Sequence, residues 1–229
     1  MSLQEKNRKV CSITVSRRDS QRVKNKWSKK IGHLSLMENK IQQLKNTKLV
    51  DEVCVGTNIC EVEEICLNLK VSHFMRDEYY CDESVCSANE MIYDMCKKVE
   101  ADVILWAHCT NPLISSGIYD HAIKTFFEKE KEGFDSLLSV NVVREHLWTT
   151  DKKPMNYNPK SKTHTLASQL NPIYKQDGGI FIQRKNNFLK NSYFFGEKPF
   201  LFIVDEKYST DINTEMDLKI ANFLLKLRS

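Results

Sequence analysis

The stretch "VCSITVSRRDSQRVKNKWSKK", residues 10–30, carries the first decision about the fold. Its opening six residues, Val10 to Val15, form an apolar, β-branched run of strand length. The chain then enters a segment that holds Arg17, Arg18, Arg22, Lys24, Lys26, Lys29 and Lys30, broken by Asp19 and Ser20. A buried strand that opens directly into concentrated positive charge is expected at the carboxyl edge of an α/β sheet, where such sheets bind their ligands.

Working outward, the remaining chain alternates strand-like and helix-like patterns. Residues 34–48 read as a helix with Leu34, Met37, Ile41 and Leu44 on one face, and 51–56 (DEVCVG) as a second strand. A helix over 61–69 and a short strand, VSHF, follow. Residues 84–100 place Val85, Ala88, Ile92, Met95 and Val99 at helical spacing. Residues 102–107 (DVILWA) are continuously apolar, as a central parallel strand covered on both faces must be. A helix over 117–131 leads to the strand DSLLSV. After a long interruption come GGIFIQ, a short helix, FLFIV and a final helix over 215–227 expected to bury Met216, Ile220, Leu224 and Leu227. This alternation implies one α/β domain over residues 1–229, with a Rossmann-like, mostly parallel sheet and helices on both faces. The interruption, residues 142–175, is polar, contains prolines and has no clear period. A structureless loop of that length is uncommon in a compact domain, so it is expected to be a hairpin-containing arm that serves as a substrate cap or a dimerisation element.

Composition excludes several classes. Hydrophobic residues at 41% with 28% charged fit a globular chain and argue against extended disorder. No apolar run approaches the roughly 20 residues that a membrane helix needs, and the N-terminus lacks a signal-peptide core, so a cytoplasmic protein without a membrane partner is expected. The eight cysteines include no CxxC pair, which implies reduced, mostly buried thiols. A net charge of +4 is modest, and its basic residues concentrate in one segment instead of coating a face.

Three readings of the basic segment stand side by side: a nucleic-acid or nuclear-localisation patch, a solvated loop, and a polyphosphate cradle. There is no Walker A loop and no GxGxxG, so a phosphate site here rests on side chains more than on glycine.

At this point the motifs themselves become informative. RRDSQRVKNK, residues 17–26, resembles the N-terminal signature R-x-G-S-K-x-[IL]-x-x-K-N of the acylneuraminate cytidylyltransferases. These are the CMP-sialic acid synthetases and their relatives for Kdo, legionaminic and pseudaminic acids. Asp19 and Gln21 replace a frequent Gly and Lys, and Trp27 stands where Asn is usual. VCVGTN resembles V-V-S-T-D with Asn58 for Asp, HCTNPL resembles Q-P-T-S-P-L with His108 for Gln, and DGGIFI resembles N-G-A-I-Y-I. The pair Phe194-Phe195 and the stretch STDINTEMDL, similar to S-I-D-I-D-T-x-x-D-L, extend the series toward the C-terminus in the family's order.

The resemblance implies transfer of CMP from CTP to a 2-keto-3-deoxy sugar acid, with release of pyrophosphate, for surface glycans. Arg17 and Lys26 would hold the triphosphate, joined at the nucleotide by Ser20, Gln21, Arg22, Arg76 and Ser87. His108, Tyr174, Lys175, Phe181, Phe194 and Phe195 would meet the sugar. Asp211 would be the catalytic ligand of Mg²⁺, helped by the amide of Asn213 where the family has a second carboxylate. In purely structural terms, Asp211 and Asn213 read as a turn into the last helix, with Thr214 as N-cap and Asp217 as the acid three residues on. The basic residues expected near an acidic sugar fall at Thr149 and Ala167, with Arg144, Lys152 and Lys162 nearby. The expected acceptor is an acidic eight- or nine-carbon 2-keto sugar, and the expected assembly a homodimer without nucleic acid. A second reading, from another class, is a silent nucleotide-binding homologue acting as a regulatory subunit; its warrant is Gln21, Trp27, Asn58 and Asn213.

Overall fold

The structure, a computed structural model, describes residues 8–18 and 23–228. Along the chain the strands are β1 (Val10–Val15), β2 (Lys30–Ile31), β3 (Leu34–Ser35), β4 (Glu52–Thr57), β5 (Ser72–Met75), β6 (Val103–Trp106), β7 (Ser136–Val143), β8 (Ile173–Arg184) and β9 (Pro199–Ile203). The helices are α1 (Leu36–Lys45), α2 (Cys60–Leu69), α3 (Ala88–Lys98), α4 (Ser116–Lys131), α5 (Lys185–Asn191) and α6 (Glu215–Lys226). Seven strands form one sheet in the order β5-β4-β1-β6-β8-β7-β9. The β5-β4-β1-β6 half is parallel, β9 is parallel to β7, and β8 alone runs against both of its neighbours.

Central strands feed both faces. Val103 and Leu105 of β6 join Tyr119, Ile123 and Phe126 of α4 in one core, while Ile104 and Trp106 join Ile92 and Met95 of α3 and Phe188 of α5 in the other. All four β6 side chains are buried, which is why DVILWA reads as uninterrupted hydrophobicity. Each such burial contributes about 1.5–3 kcal/mol before the entropy of ordering is subtracted.

Three helix readings need correction. The helix expected from residue 34 begins at Leu36, because Leu34 and Ser35 pair with Ile31 and Lys30 in the small β2-β3 hairpin. Ser35 then caps α1, accepting from the Glu38 amide while the Glu38 carboxylate accepts from the Ser35 amide. The helix expected from residue 84 begins at Ala88 behind the same device, Ser87 with Glu90, and Val85 is exposed. In α6 the buried face is Ala221 with the partly buried Leu218, Leu224 and Leu225, packed on Ile31, Leu36, Leu113 and Ile212. Met216, Ile220 and Leu227 are exposed instead of buried. The Thr214–Asp217 capping box is present as expected.

At the arm, β7 and β8 continue as an antiparallel ladder out to Val143 and Ile173. Beyond it, residues 144–172 hold a single bridge, Trp148 to Pro154, and a small ring cluster of His146, Trp148, Tyr157 and His164. All eight cysteines are free and only Cys60 is exposed, as the scattered spacing implies. Among the described residues no helix is long and apolar enough to cross a membrane.

Candidate active site

The carboxyl ends of β1, β4 and β5 are tied together by polar contacts that the sheet itself does not use. Ser16 and Thr57 share a hydroxyl–hydroxyl bond of 2.9 Å, and the buried Arg76 donates from Nη1 to the Ser16 carbonyl at 3.3 Å and from Nη2 to the Tyr80 carbonyl. Burial lowers the pKa of Arg76 from its ordinary value, with Arg17 adding repulsion and Cys81 opposing. Its Nε is buried without a hydrogen-bond partner among the described residues. Arg17 donates from Nη1 to the Cys81 carbonyl at 3.3 Å and pairs through Nη2 with the exposed Glu83 at 2.6 Å. Lys26 opens a short 3-10 turn, Lys26–Ser28, after Asn25 in the left-handed region.

These groups surround a cavity of about 420 Å³. Arg17, Lys26, Trp27, Arg76, Ser87 and His108 all line it, so four of the expected nucleotide residues and one expected sugar residue meet in one place. Ser20, Gln21 and Arg22 lie outside the described residues. Ser87 serves twice, since its hydroxyl also caps α3. Sequence reasoning missed Tyr80, Glu83, Met91 and Thr110 as lining residues. Thr110 sits inside the HCTNPL motif, whereas Tyr80 and Glu83 come from the irregular stretch between β5 and α3, where no period marks them.

His108 sits where β6 ends, half-buried, with the rings of Phe181 and Phe194 edge-on at 6.0 and 5.5 Å. Burial pushes its pKa down to about 4, with Asp211 opposing and Lys40 and Lys26 assisting, so the imidazole is neutral at pH 7. Phe181 itself is fully buried and stacks on Phe194 at 4.7 Å, and Phe195 packs edge-on to Tyr193 at 4.9 Å. Tyr174 and Lys175 are exposed on β8 at the base of the arm and are not among the described residues that line the cavity.

The segment carrying Asp211 is fastened to the same edge, because the Ile212 amide donates to the Thr110 carbonyl at 2.9 Å. Asn213 Nδ2 donates to Asp211 Oδ2 at 2.6 Å, so the two side chains share one side of the strand-like stretch. Among the described residues no three His, Cys, Asp or Glu side chains cluster as a metal cage. The Asp211 carboxylate is a hard oxygen donor that fits a Mg²⁺ which keeps several waters and takes its other ligands from substrate phosphates, whereas Asn213 turns its NH2 toward Asp211 and its amide oxygen would join only after the amide flips.

Asn58 has a structural account of its own. Its Oδ1 accepts from the Arg18 amide at 3.0 Å while its Nδ2 donates to Glu78 at 2.9 Å, and a carboxylate in its place would lose the donor and face Glu78 with like charge. Gly56 matters for a different reason: a Cβ there would lie 2.5 Å from Met95 Sδ and 3.1 Å from Arg76 Cδ. Gly56→Ala is therefore expected to shift Arg76 and weaken nucleotide binding about tenfold, while costing roughly 1–3 kcal/mol of stability. Titration calorimetry with CTP alongside urea unfolding would check both, and an unchanged affinity would separate Arg76 from the nucleotide.

A parallel α/β edge whose cavity is walled by Arg17, Lys26 and Arg76, with a carboxylate alongside, has the arrangement of a nucleotide-phosphate site. Residues 12–221 match the cytidylyltransferase family, and the chain belongs to it. It is 27% identical to the post-translational flagellin modification protein B of Campylobacter coli, over 95% of this chain and 94% of the relative. It is 25% identical to the CMP-N,N'-diacetyllegionaminic acid synthase of Campylobacter jejuni, with 96% of each covered. Among solved structures, a CMP:2-keto-3-deoxy-manno-octonic acid synthetase complexed with CTP superposes with a TM-score of 0.68 at 13% identity, covering 96% of this chain and all of the other.

Proposed function

We propose that this chain transfers CMP from CTP to an acidic eight- or nine-carbon 2-keto-3-deoxy sugar, in the cytoplasm, for surface glycan assembly. The observation that carries the reading is the convergence of Arg17, Lys26, Arg76 and His108 on one cavity, with Asp211 fastened beside it. The names of the relatives, which include legionaminic acid and octonic acid synthetases, support the substrate class.

In the transfer, a sugar hydroxyl oxygen forms a bond to the α-phosphorus of CTP as the bond from that phosphorus to the bridging β-oxygen breaks. The hydroxyl proton is lost and pyrophosphate leaves. Little covalent chemistry is asked of the protein, and most of the rate comes from positioning and from neutralising charge. Arg17 and Lys26 neutralise the triphosphate, and Arg17 must exchange Glu83 for phosphate to do so. Arg76 and Ser87 hold the nucleoside end, and neutral His108 offers a hydrogen bond to the sugar without adding charge. Asp211 and Asn213 would hold Mg²⁺, which when bound supplies charge stabilisation to the phosphates. Tyr174 and Lys175, exposed at the base of the arm, are assigned to the sugar end by the family resemblance. The exposed Trp148, Met155 and Leu166 beyond it favour a homodimer through the arm.

Pyrophosphate release with CTP and Mg²⁺ across N-acetylneuraminate, deaminated sialic acid, legionaminate, pseudaminate and Kdo tests this, with UTP, ATP and chelator controls. Release with one acid, CTP and Mg²⁺ together is the expected result. CTP binding with silence across the panel would instead favour a regulatory homologue, the reading that the Arg17–Glu83 pair and Asn213 lend some support.

A further inference from the structure

Lys40 is a charged group that the transfer chemistry above does not use. It lies in α1 on the row that also buries Leu36, Met37, Ile41 and Leu44, and it is itself fully buried. An ammonium taken out of water has to find acceptors for its protons. Lys40 Nζ donates to the Asn111 carbonyl at 2.9 Å and to the Tyr119 hydroxyl at 2.5 Å. Two neighbours on the same helix add to this contact: Asn39 Nδ2 and Gln43 Nε2 both donate to the Pro112 carbonyl, at 3.0 and 2.6 Å. Three side chains of α1 thus grip consecutive carbonyls of the loop that leaves β6.

The loop is gripped from its other side as well. Asn111 Nδ2 donates to the Asp177 carbonyl at 2.9 Å, and the buried Asp177 carboxylate is held by the Ser139 hydroxyl and by the Gly179 amide at 2.9 Å. Lys40 and Asp177 therefore bracket Asn111 from its two sides, and Lys40 also holds the hydroxyl of the neighbouring Tyr119, whose pKa is raised by burial first and by Asp177 second. Just before Asn111 the same loop presents His108 and Thr110 to the cavity, and the Thr110 carbonyl anchors Ile212, next to Asp211.

We propose that Lys40 is a positioning residue for the acceptor end of the site: with Asn39 and Gln43 it fixes residues 108–112, and through them His108, Thr110 and Asp211. The inference rests on the CMP-transfer reading for its kinetic consequence, since a displacement of about 1 Å in a reacting group can cost on the order of 10²-fold in rate. The nucleotide end, walled by Arg17, Arg76 and Ser87, is attached to β1, β5 and α3 and should not feel the loss.

Lys40→Met keeps an unbranched side chain one atom shorter and removes the donor. The expected result is CTP affinity within about twofold of wild type by calorimetry in chelator, where the cation held by Asp211 does not enter, with kcat/KM for the sugar acid in Mg²⁺ down roughly 10- to 100-fold. A protein equally active toward the acid, or one losing CTP affinity and acid turnover in parallel, would overturn the proposal. A wild type inert toward every acid would instead sink the transfer reading, and amide exchange then carries the test. Lys40→Met should speed exchange at Ile212 at least about tenfold relative to amides of β1, because the Thr110 carbonyl that protects it loosens. Unchanged protection there would overturn the positioning role whatever the activity. Should Lys40→Met fail to fold, the double variant Asn39→Ala/Gln43→Ala keeps the buried charge and is expected to show the same split at about fivefold; no split would overturn the clamp.

Discussion

Asp211→Asn is expected to lower pyrophosphate release roughly 10²- to 10³-fold while leaving the chain folded. The substitution keeps volume and an acceptor for Asn213 Nδ2, so the 2.6 Å contact that orients the side chain survives. The backbone anchor beside it, from Ile212 to Thr110, also survives. What is lost is one negative charge at the point where a phosphate-bound divalent cation would be held. With Asn213 already an amide, the pair would offer a cation only neutral oxygens, so the Mg²⁺ concentration needed for half-maximal rate should rise together with the loss in rate. A steady-state titration of Mg²⁺ in wild type and variant, with melting curves to verify folding, checks the expectation. Unaltered turnover would remove Asp211 from the site and would leave the Thr214 capping turn as its whole purpose.

Much of the fold is legible because central strands leave strong marks. DVILWA has no polar residue between Val103 and Trp106, and the structure buries it against helices on both sides. Strand direction leaves no such mark: GGIFIQ has the same hydrophobicity read either way, and the ladders with β6 and β7 are what show that β8 runs antiparallel. The face of α6 was misread because the helix is apolar on two sides. Met216, Ile220 and Leu227 form one stripe and Leu218, Ala221 and Leu225 another, and periodicity alone does not choose between them. In the site, Arg17, Lys26 and His108 lie in motifs with fixed order, whereas Arg76 and Ser87 are single positions that the resemblance alone implies. Lys40 does leave a signal, its place four residues from both Leu36 and Leu44, but a lone lysine in a helix ordinarily lies in solvent, so the spacing alone does not mark it as buried.

Alkaline pH should unfold this protein steeply above pH 9. Burial raises the thiols of Cys66 and Cys109 from 9.0 to about 11 and that of Cys11 to about 12, and pushes Cys54 and Cys96 higher still. Below about pH 8 these groups are protonated in both states and stability does not depend on them. Above it the unfolded thiols ionise while the buried ones remain protonated, so each costs the fold about 1 kcal/mol per pH unit, an amount set by the unfolded pKa and insensitive to how far the folded value is raised. Lys40 acts in the opposite sense. Burial lowers it to about 7, so from pH 7 toward its unfolded value of 10.5 the unfolded chain binds one more proton than the fold and stability rises with pH. Once the unfolded thiols are fully ionised, about a unit above 9, these five against one lysine leave a net of four protons, or about 5 kcal/mol lost per pH unit, and Cys81 and Cys86, also raised by burial, add in the same direction; the rise due to the lysine is confined to about pH 7 to 8. A domain of this kind has only about 5–15 kcal/mol in total, so pH 10 should bring it close to unfolding at room temperature. Urea denaturation in a reducing buffer at pH 7, 8, 9 and 10 measures the curve. A midpoint still climbing at pH 10 would contradict the buried thiols. Lys40→Met should abolish the rise between about pH 7 and 8 and leave the fall at higher pH in place, because the thiols begin to titrate only above that window.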